Sequence, residues 1–330
     1  MTRKDHYVSQ TYLRLFVGPN GDLVPYYKNA HVIVGKPKRP KSICFETEGD
    51  TNKYFENPRV LDKFLPAFEN PWEENIVKLE RGFLDAKTKY ELAGYIAFLR
   101  ACTPTDKRIG QQTIAGEIEP VAHKVQLSTL DKSDYLSDEQ KLTLRKAIQN
   151  KEIEIKIDRE FAHAQGMRVL EGMINRYYCS HWLVLINKTS IPFITSDNPA
   201  ILYYQDIRQQ IAQTYVPLKA SMALLITPDI DMGYPSFEDV KRYNNSEDRF
   251  GIIKQPYVNK FNEEIIKSAE KIVLHQKKED WLEQLVRKYN KWRVDAIVSH
   301  IPTGRGTIII ARQQPVERKN QYKVSKDKRM

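Results

Sequence analysis

Cysteine is scarce in this chain, with three residues in 330. Cys44, Cys102 and Cys179 are odd in number and far apart, and no CxxC pair joins them, which argues against a disulfide framework and a cysteine-rich zinc knuckle. Cys179-x-His181 offers two ligands where a zinc site uses four. The three thiols are therefore expected as small buried side chains in a reducing compartment. Long apolar runs are missing as well. No stretch approaches the roughly 20 residues that cross a bilayer, and the opening MTRKDHYVSQ lacks the apolar core of a secretory signal. The expected setting is the cytoplasm, with no membrane partner. No glycine-rich loop follows a strand pattern, so no nucleotide cofactor motif is visible. Internal repeats are absent, and so is a nuclease signature of the PD-(D/E)xK type.

What is present suits an ordinary globular protein, with 41% hydrophobic and 28% charged residues. The net charge of +10 favours nucleic acid or another anionic partner. Its distribution is uneven. The stretch Val316 to Met330 carries Arg318, Lys319, Lys323, Lys326, Lys328 and Arg329 against Glu317 and Asp327, and Lys36, Lys38, Arg39 and Lys41 cluster around Pro37 and Pro40. Elsewhere the chain is nearly neutral. Two readings stay open for both segments: a solvated tail and loop, or surfaces that track a phosphate backbone.

Periodicity divides the chain. Ser9 to Phe16 predicts a short helix, stopped by Gly18-Pro19-Asn20-Gly21, and Leu23 to Lys28 with His31 to Val34 predicts a small hairpin. From about 58 to 178 the apolar spacing is helical, and it is clearest in one helix through Ile157, Phe161, Ala164, Met167, Leu170, Ile174 and Tyr177. From about 181 to 312 short strand patterns dominate, with helices at Asn259 to Lys271 and Lys278 to Tyr289 and a last strand at Thr307 to Ala311. Runs of helix followed by runs of strand predict an α+β fold, a helical N-terminal half leading into a mostly antiparallel sheet with C-terminal helices. Residues 1–315 are expected to form one large domain and 316–330 a flexible basic tail.

Two segments have the residue types that chemistry needs. In His6-Tyr7-Val8-Ser9-Gln10-Thr11-Tyr12-Leu13-Arg14-Leu15-Phe16 a helix would align His6, Gln10 and Arg14 as one polar stripe. Histidine titrates near neutral pH and is the natural acid or base there. A surface histidine beside an amphipathic helix explains the same pattern. In Pro192-Phe193-Ile194-Thr195-Ser196-Asp197-Asn198-Pro199 an apolar strand ends in a polar turn. Asp197 could orient a histidine, hold a cation or act as a base, and it is equally good turn material. Glu69 and Arg100 follow apolar helical residues, so each is either at a helix end or paired.

These motifs, His-Tyr-Val-x-Gln-x-Tyr-Leu-Arg-x-Phe and Phe-Ile-Thr-Ser-Asp-Asn-Pro, with Asn262 and Ala269 downstream, resemble the bacterial domain of unknown function 4238 family over about Lys4 to His275. The resemblance implies a fold unit with His6, Gln10, Tyr12, Leu13, Asp197, Asn198 and Pro199 at signature positions, and no reaction. The family pattern has proline where Ser9 stands, and Arg-Thr-Pro where this chain reads Cys102-Thr103-Pro104; Arg100 is the candidate substitute for that arginine.

The candidate site is thus His6, Gln10, Glu69, Arg100, Asp197 and Asn198. Its residue types suit a nuclease or phosphodiesterase, one serving as a phage-defence effector for instance, with a divalent cation such as magnesium as an optional cofactor. In that reading Lys36, Lys38, Arg39, Lys41, Arg318, Lys319, Lys323 and Lys326 would supply affinity for the nucleic-acid backbone. The competing readings are a non-catalytic nucleic-acid-binding or sensing module, and an interaction domain for a protein, a second copy or a small ligand.

Overall fold

The computed structural model describes residues 3–150, 152–153, 155–205, 211–245, 247–304 and 306–318. Lys319, Lys323 and Lys326 of the basic stretch lie outside the described residues. The chain opens with β1 (Lys4–His6), α1 (Gln10–Arg14), β2 (Val24–Tyr27) and β3 (Phe45–Thr47). Seven helices follow: α2 (Leu61–Glu69), α3 (Trp72–Glu80), α4 (Ala86–Ala101), α5 (Pro104–Asp131), α6 (Asp138–Gln149), α7 (Arg159–Arg168) and α8 (Leu170–Tyr178). Next come β4 (Ser180–Asn187), β5 (Thr195–Ser196), β6 (Ile201–Tyr203), β7 (Gln213–Lys219), β8 (Met222–Pro228), α9 (Phe237–Arg242) and β9 (Arg249–Ile253). The described chain closes with α10 (Gln255–Ser268), β10 (Ile272–His275), α11 (Asp280–Lys288), β11 (Trp292–Thr303) and β12 (Gly306–Glu317).

The fold is α+β. Helix starts follow local chemistry: Ser9, Asp85 and Thr103 accept backbone N–H groups at the heads of α1, α4 and α5, and Ser137 with Gln140 forms a reciprocal capping box on α6. A five-stranded sheet runs in the order β6-β7-β8-β4-β9, antiparallel except where β9 lies parallel to β4. Along β4 the residues alternate between two cores. Trp182 and Val184 join Tyr12, Trp72, Tyr95 and Leu99 of the helical layer, while Leu183 and Leu185 face Phe261, Ile265 and Leu282 of α10 and α11. Both faces of the sheet are therefore covered by helices.

Three local expectations change. The helix drawn through residues 157–177 is two helices, because the turn tightens at Val169, whose N–H reaches back three residues to Gly166 O. The hairpin expected at residues 23–34 does not form as one ladder. β2 instead pairs with β10, residues 31–34 touch it through a single Tyr26–Val34 bridge, and β10 also pairs with β5. The last strand is much longer than residues 307–311: β12 continues to Glu317, two residues into the stretch read as a tail, and pairs along its whole length with β11.

Candidate functional site

His6 lies on a strand rather than on a helix. β1 pairs with β3, setting His6 opposite Phe45 and Asp5 opposite Glu46. The non-glycine residues Cys44 (φ 55°) and Glu48 (φ 52°) bracket β3 in the left-handed region, a conformation that costs about 1 kcal/mol or more each and persists only when surroundings enforce it. The helical stripe His6–Gln10–Arg14 is therefore corrected, although all three residues line one open cleft of about 380 Å³. Glu69, at the end of α2, lines it too and accepts a hydrogen bond from the Thr11 hydroxyl at 3.0 Å. A smaller recess of about 20 Å³ involves His6, Asp50, Tyr95 and Cys102.

The electrostatics of this cleft are graded. Burial opposes charge on Asp5, but hydrogen bonds from Arg59 and from the Asp50 N–H, with the nearby Arg3, hold its carboxyl below the usual range. Asp50, in contrast, is pushed up to about 6 by burial and by the Asp5 charge. Burial pulls His6 below its ordinary value, against the favourable influence of the Lys41 and Pro40 backbone and of Glu69, and its Nε2 is buried without a hydrogen-bond partner. One cleft thus holds an imidazole whose pKa burial lowers and a carboxyl whose pKa is raised to about 6.

The other candidates lie elsewhere. Arg100, in the last turn of α4, donates to Gln313 Oε1 at 3.0 Å, and with Asn198, Thr105 and Asp106 it lines a separate recess of about 20 Å³. Asp197 belongs to neither opening. It is buried and accepts the backbone N–H groups of Glu270 (2.9 Å), Lys271 (2.7 Å) and Ile272 (3.1 Å), fastening the turn from α10 into β10. Asn198 donates to Ser268 O at 2.9 Å in the same turn. Of the roles open to Asp197, the structure shows the turn role, a backbone clamp, which is the turn chemistry of Asp and Asn at long range. Burial raises Asp197 to about 6, against the pull of its three N–H donors.

The family model described as "Protein of unknown function (DUF4238)" matches residues 4–279. The chain belongs to the DUF4238 family. No curated protein and no solved structure matches it. Within the matched region several polar side chains hold backbone in place. The Tyr12 hydroxyl donates to Pro217 O at 2.7 Å, and Asn262 grips the segment leading into β5 through Ile194 N and Pro192 O. Ser9 caps α1 and bonds the buried Tyr95 hydroxyl. The 50–59 stretch of the same region also contributes residues that sequence reasoning passed over. Asp50 lies in a Gly-Asp-Thr turn, and only the non-local pairing of β1 with β3 brings it to His6. Arg59 ties Asp5, Asp62 and Thr51 together, and no sequence signal marks it.

The basic turn adjoins this cleft. The 3-10 turn Pro40–Ser42 packs beside α1, and the backbone of Pro40 and Lys41 flanks the His6 ring. Arg39 is paired with Asp22 at 3.0 Å and Lys38 stands over the Tyr27 ring, whereas Lys36 and Lys41 are exposed. Arg318 is at the base of the hairpin, its N–H on Lys291 O. Among the described residues no group of three or more His, Cys, Asp or Glu side chains is placed to hold a metal ion, and no helix is long and apolar enough to cross a membrane.

Proposed function

We propose that the His6 cleft is the acid–base centre of a hydrolase that cleaves phosphodiesters, a nuclease or a related phosphodiesterase acting on nucleic acid. The observation that carries this reading is the shared cleft of His6, lowered in pKa by burial, and Asp50, raised to about 6, beside an exposed basic turn. His6 would take a proton from an attacking water as the oxygen–phosphorus bond forms. Asp50 would return a proton to the leaving oxygen as its bond to phosphorus breaks. Arg14, whose nearest acid is Glu73 at 3.9 Å, and Arg3 would neutralise the phosphate. Gln10 would position it, and Lys36 and Lys41 would engage flanking phosphates.

The test is cleavage of RNA, single-stranded DNA and duplex DNA by the wild type, His6→Ala and Asp50→Asn, each with magnesium, manganese or EDTA. Cleavage lost in both variants supports the reading, and the metal arms settle cofactor dependence. Absence of binding and cleavage at low salt would sink it.

A second reading is favoured by the structural employment of Tyr12, Asp197, Asn198 and Asn262: a non-catalytic module that binds or senses nucleic acid, in which the signature network only rigidifies the fold. It expects salt-sensitive binding that survives His6→Ala, with every substrate left intact.

A further inference from the structure

The small recess beside the His6 cleft has its own chemistry. His6, Ser9, Asp50 and Leu65 line both openings, so the two adjoin at these residues. The recess measures about 20 Å³, and about 10–15 Å³ on that measure is enough for a single water. Its size selects water over any larger ligand. Leu61, Leu65, Phe98 and Leu99 supply apolar walls, whereas His6, Ser9, Asp50, Tyr95 and Cys102 bring polar atoms. The His6 Nε2 atom is buried and has no hydrogen-bond partner among the protein atoms, an arrangement that is costly unless something else meets it. The Ser9 and Tyr95 hydroxyls bond each other, and the Ser9 oxygen also accepts the Tyr12 N–H at 3.2 Å. Two hydroxyl protons meet in one bond, so one remains to be donated. A purely apolar recess of this size would stay dry. One bordered by an orphan nitrogen, a carboxyl and a hydroxyl donor supplies the two to four partners that a buried water needs.

We infer that the recess holds one water, which bridges His6 Nε2 and the Asp50 carboxyl and relays a proton between them. The relay rests on the acid–base reading of the cleft. In that reading each cycle ends with His6 carrying the proton of the attacking water and Asp50 lacking the one it gave to the leaving oxygen. The pair must then be reset. Nε2 hands a proton to the bound water while that water passes one of its own to Asp50: one N–H bond breaks, one carboxyl O–H bond forms, and the water is regenerated. Bulk solvent does not reach Nε2, so the recess is the short route for that proton.

A crystal structure of the full chain tests the water seat whatever the reaction. Density for one water within about 3.2 Å of His6 Nε2 is expected, and its absence overturns the inference. Cys102→Val adds about one methyl group, close to the ~30 Å³ that a water takes up in the liquid, and should expel it, whereas Cys102→Ala leaves room and should keep it. On a nucleic-acid substrate that the wild type cleaves, Cys102→Val should keep its single-turnover rate and kcat/KM while kcat falls about tenfold and a burst appears, because chemistry is intact and only the reset is slowed. A Cys102→Val chain with wild-type circular dichroism that keeps its full kcat also overturns the relay. A wild type that cleaves nothing removes the acid–base reading and the relay with it, while the crystal still decides whether the water is bound.

Discussion

The Tyr12 hydroxyl lies 2.8 Å from Thr195 Oγ1, joining two segments separated by 183 residues of sequence. Tyr12 is fully buried, and the same hydroxyl donates to Pro217 O, so this one contact ties α1 to the strand before the Ser-Asp-Asn-Pro turn and to β7. A few residues on, Asp197 fastens that turn to β10. The two segments thus meet in a physical joint between the first helix and the sheet.

Tyr12→Phe keeps the ring packing against Trp72 (5.8 Å between ring centroids) and removes only the hydroxyl. It leaves Pro217 O and Thr195 Oγ1 without that partner in a buried setting, so a loss of about 1–3 kcal/mol is expected. Urea unfolding reads it directly. An unchanged midpoint would show that the joint carries no stability.

Asp197→Ala should cost more than Tyr12→Phe, about 3 kcal/mol or above, because three backbone N–H groups lose their acceptor together. Asp197→Asn retains one acceptor oxygen and should fall between. If Asp197 served catalysis instead, the Asn variant would fold with wild-type stability and lose turnover alone. Comparing the unfolding midpoints of the two variants separates these outcomes.

The Ser-Asp-Asn-Pro stretch was legible as turn chemistry, and the structure uses it so. What sequence spacing could not supply was the destination of the turn, since the amides that Asp197 binds lie on Glu270, Lys271 and Ile272. The same limit hid Asp50, whose cleft is built by a β1–β3 pairing that local periodicity does not encode. The α+β order was visible because helical and strand periods occupy separate stretches. β11 escaped because Ala296-Ile297-Val298-Ser299-His300-Ile301-Pro302 alternates poorly, its apolar residues pointing to both faces of the ribbon.

If His6 is the base and Asp50 the acid, cleavage should follow a bell-shaped pH profile. Activity falls on the acid side as His6 takes up a proton below its ordinary value, and on the alkaline side as Asp50 ionises above about 6. Asp50→Asn should remove the alkaline limb as well as most of the rate. A profile flat across this window would rule out the pair.

His163 gives the fold an acid-sensitive point. Burial, with the charges of Lys107 and Arg159, lowers it to about 3, whereas an unfolded histidine binds its proton near 6.5. Between those values the unfolded state holds more protons than the folded state, so stability falls as pH drops from about 6.5 towards 3. His163→Phe removes the titration. The stability lost between neutral pH and about pH 4.5 should be smaller in that variant than in the wild type, and equal losses would place the acid sensitivity elsewhere.

Lys89 presents the strongest single test of the helix-to-sheet junction. Its side chain is 1% exposed, caged by Tyr178, Trp182 and Tyr243, and its ammonium reaches Ser180 O at 2.8 Å, Asn245 Oδ1 at 2.8 Å and Asp248 at 2.9 Å. Burial lowers its pKa and Asp248 opposes the shift. Asp248 in turn accepts the N–H of Trp182 at 2.9 Å, so the pair pins α4 to the start of β4. Lys89→Met fills similar volume but strands Asp248, whose side chain is 9% exposed, and a loss of about 3–5 kcal/mol is expected. Adding Asp248→Asn to that variant removes the stranded charge while keeping an acceptor for Trp182 N–H. The double variant should therefore be more stable than Lys89→Met alone, and a double variant that is weaker still would mean that the packing of the lysine stem, rather than the ion pair, holds the junction.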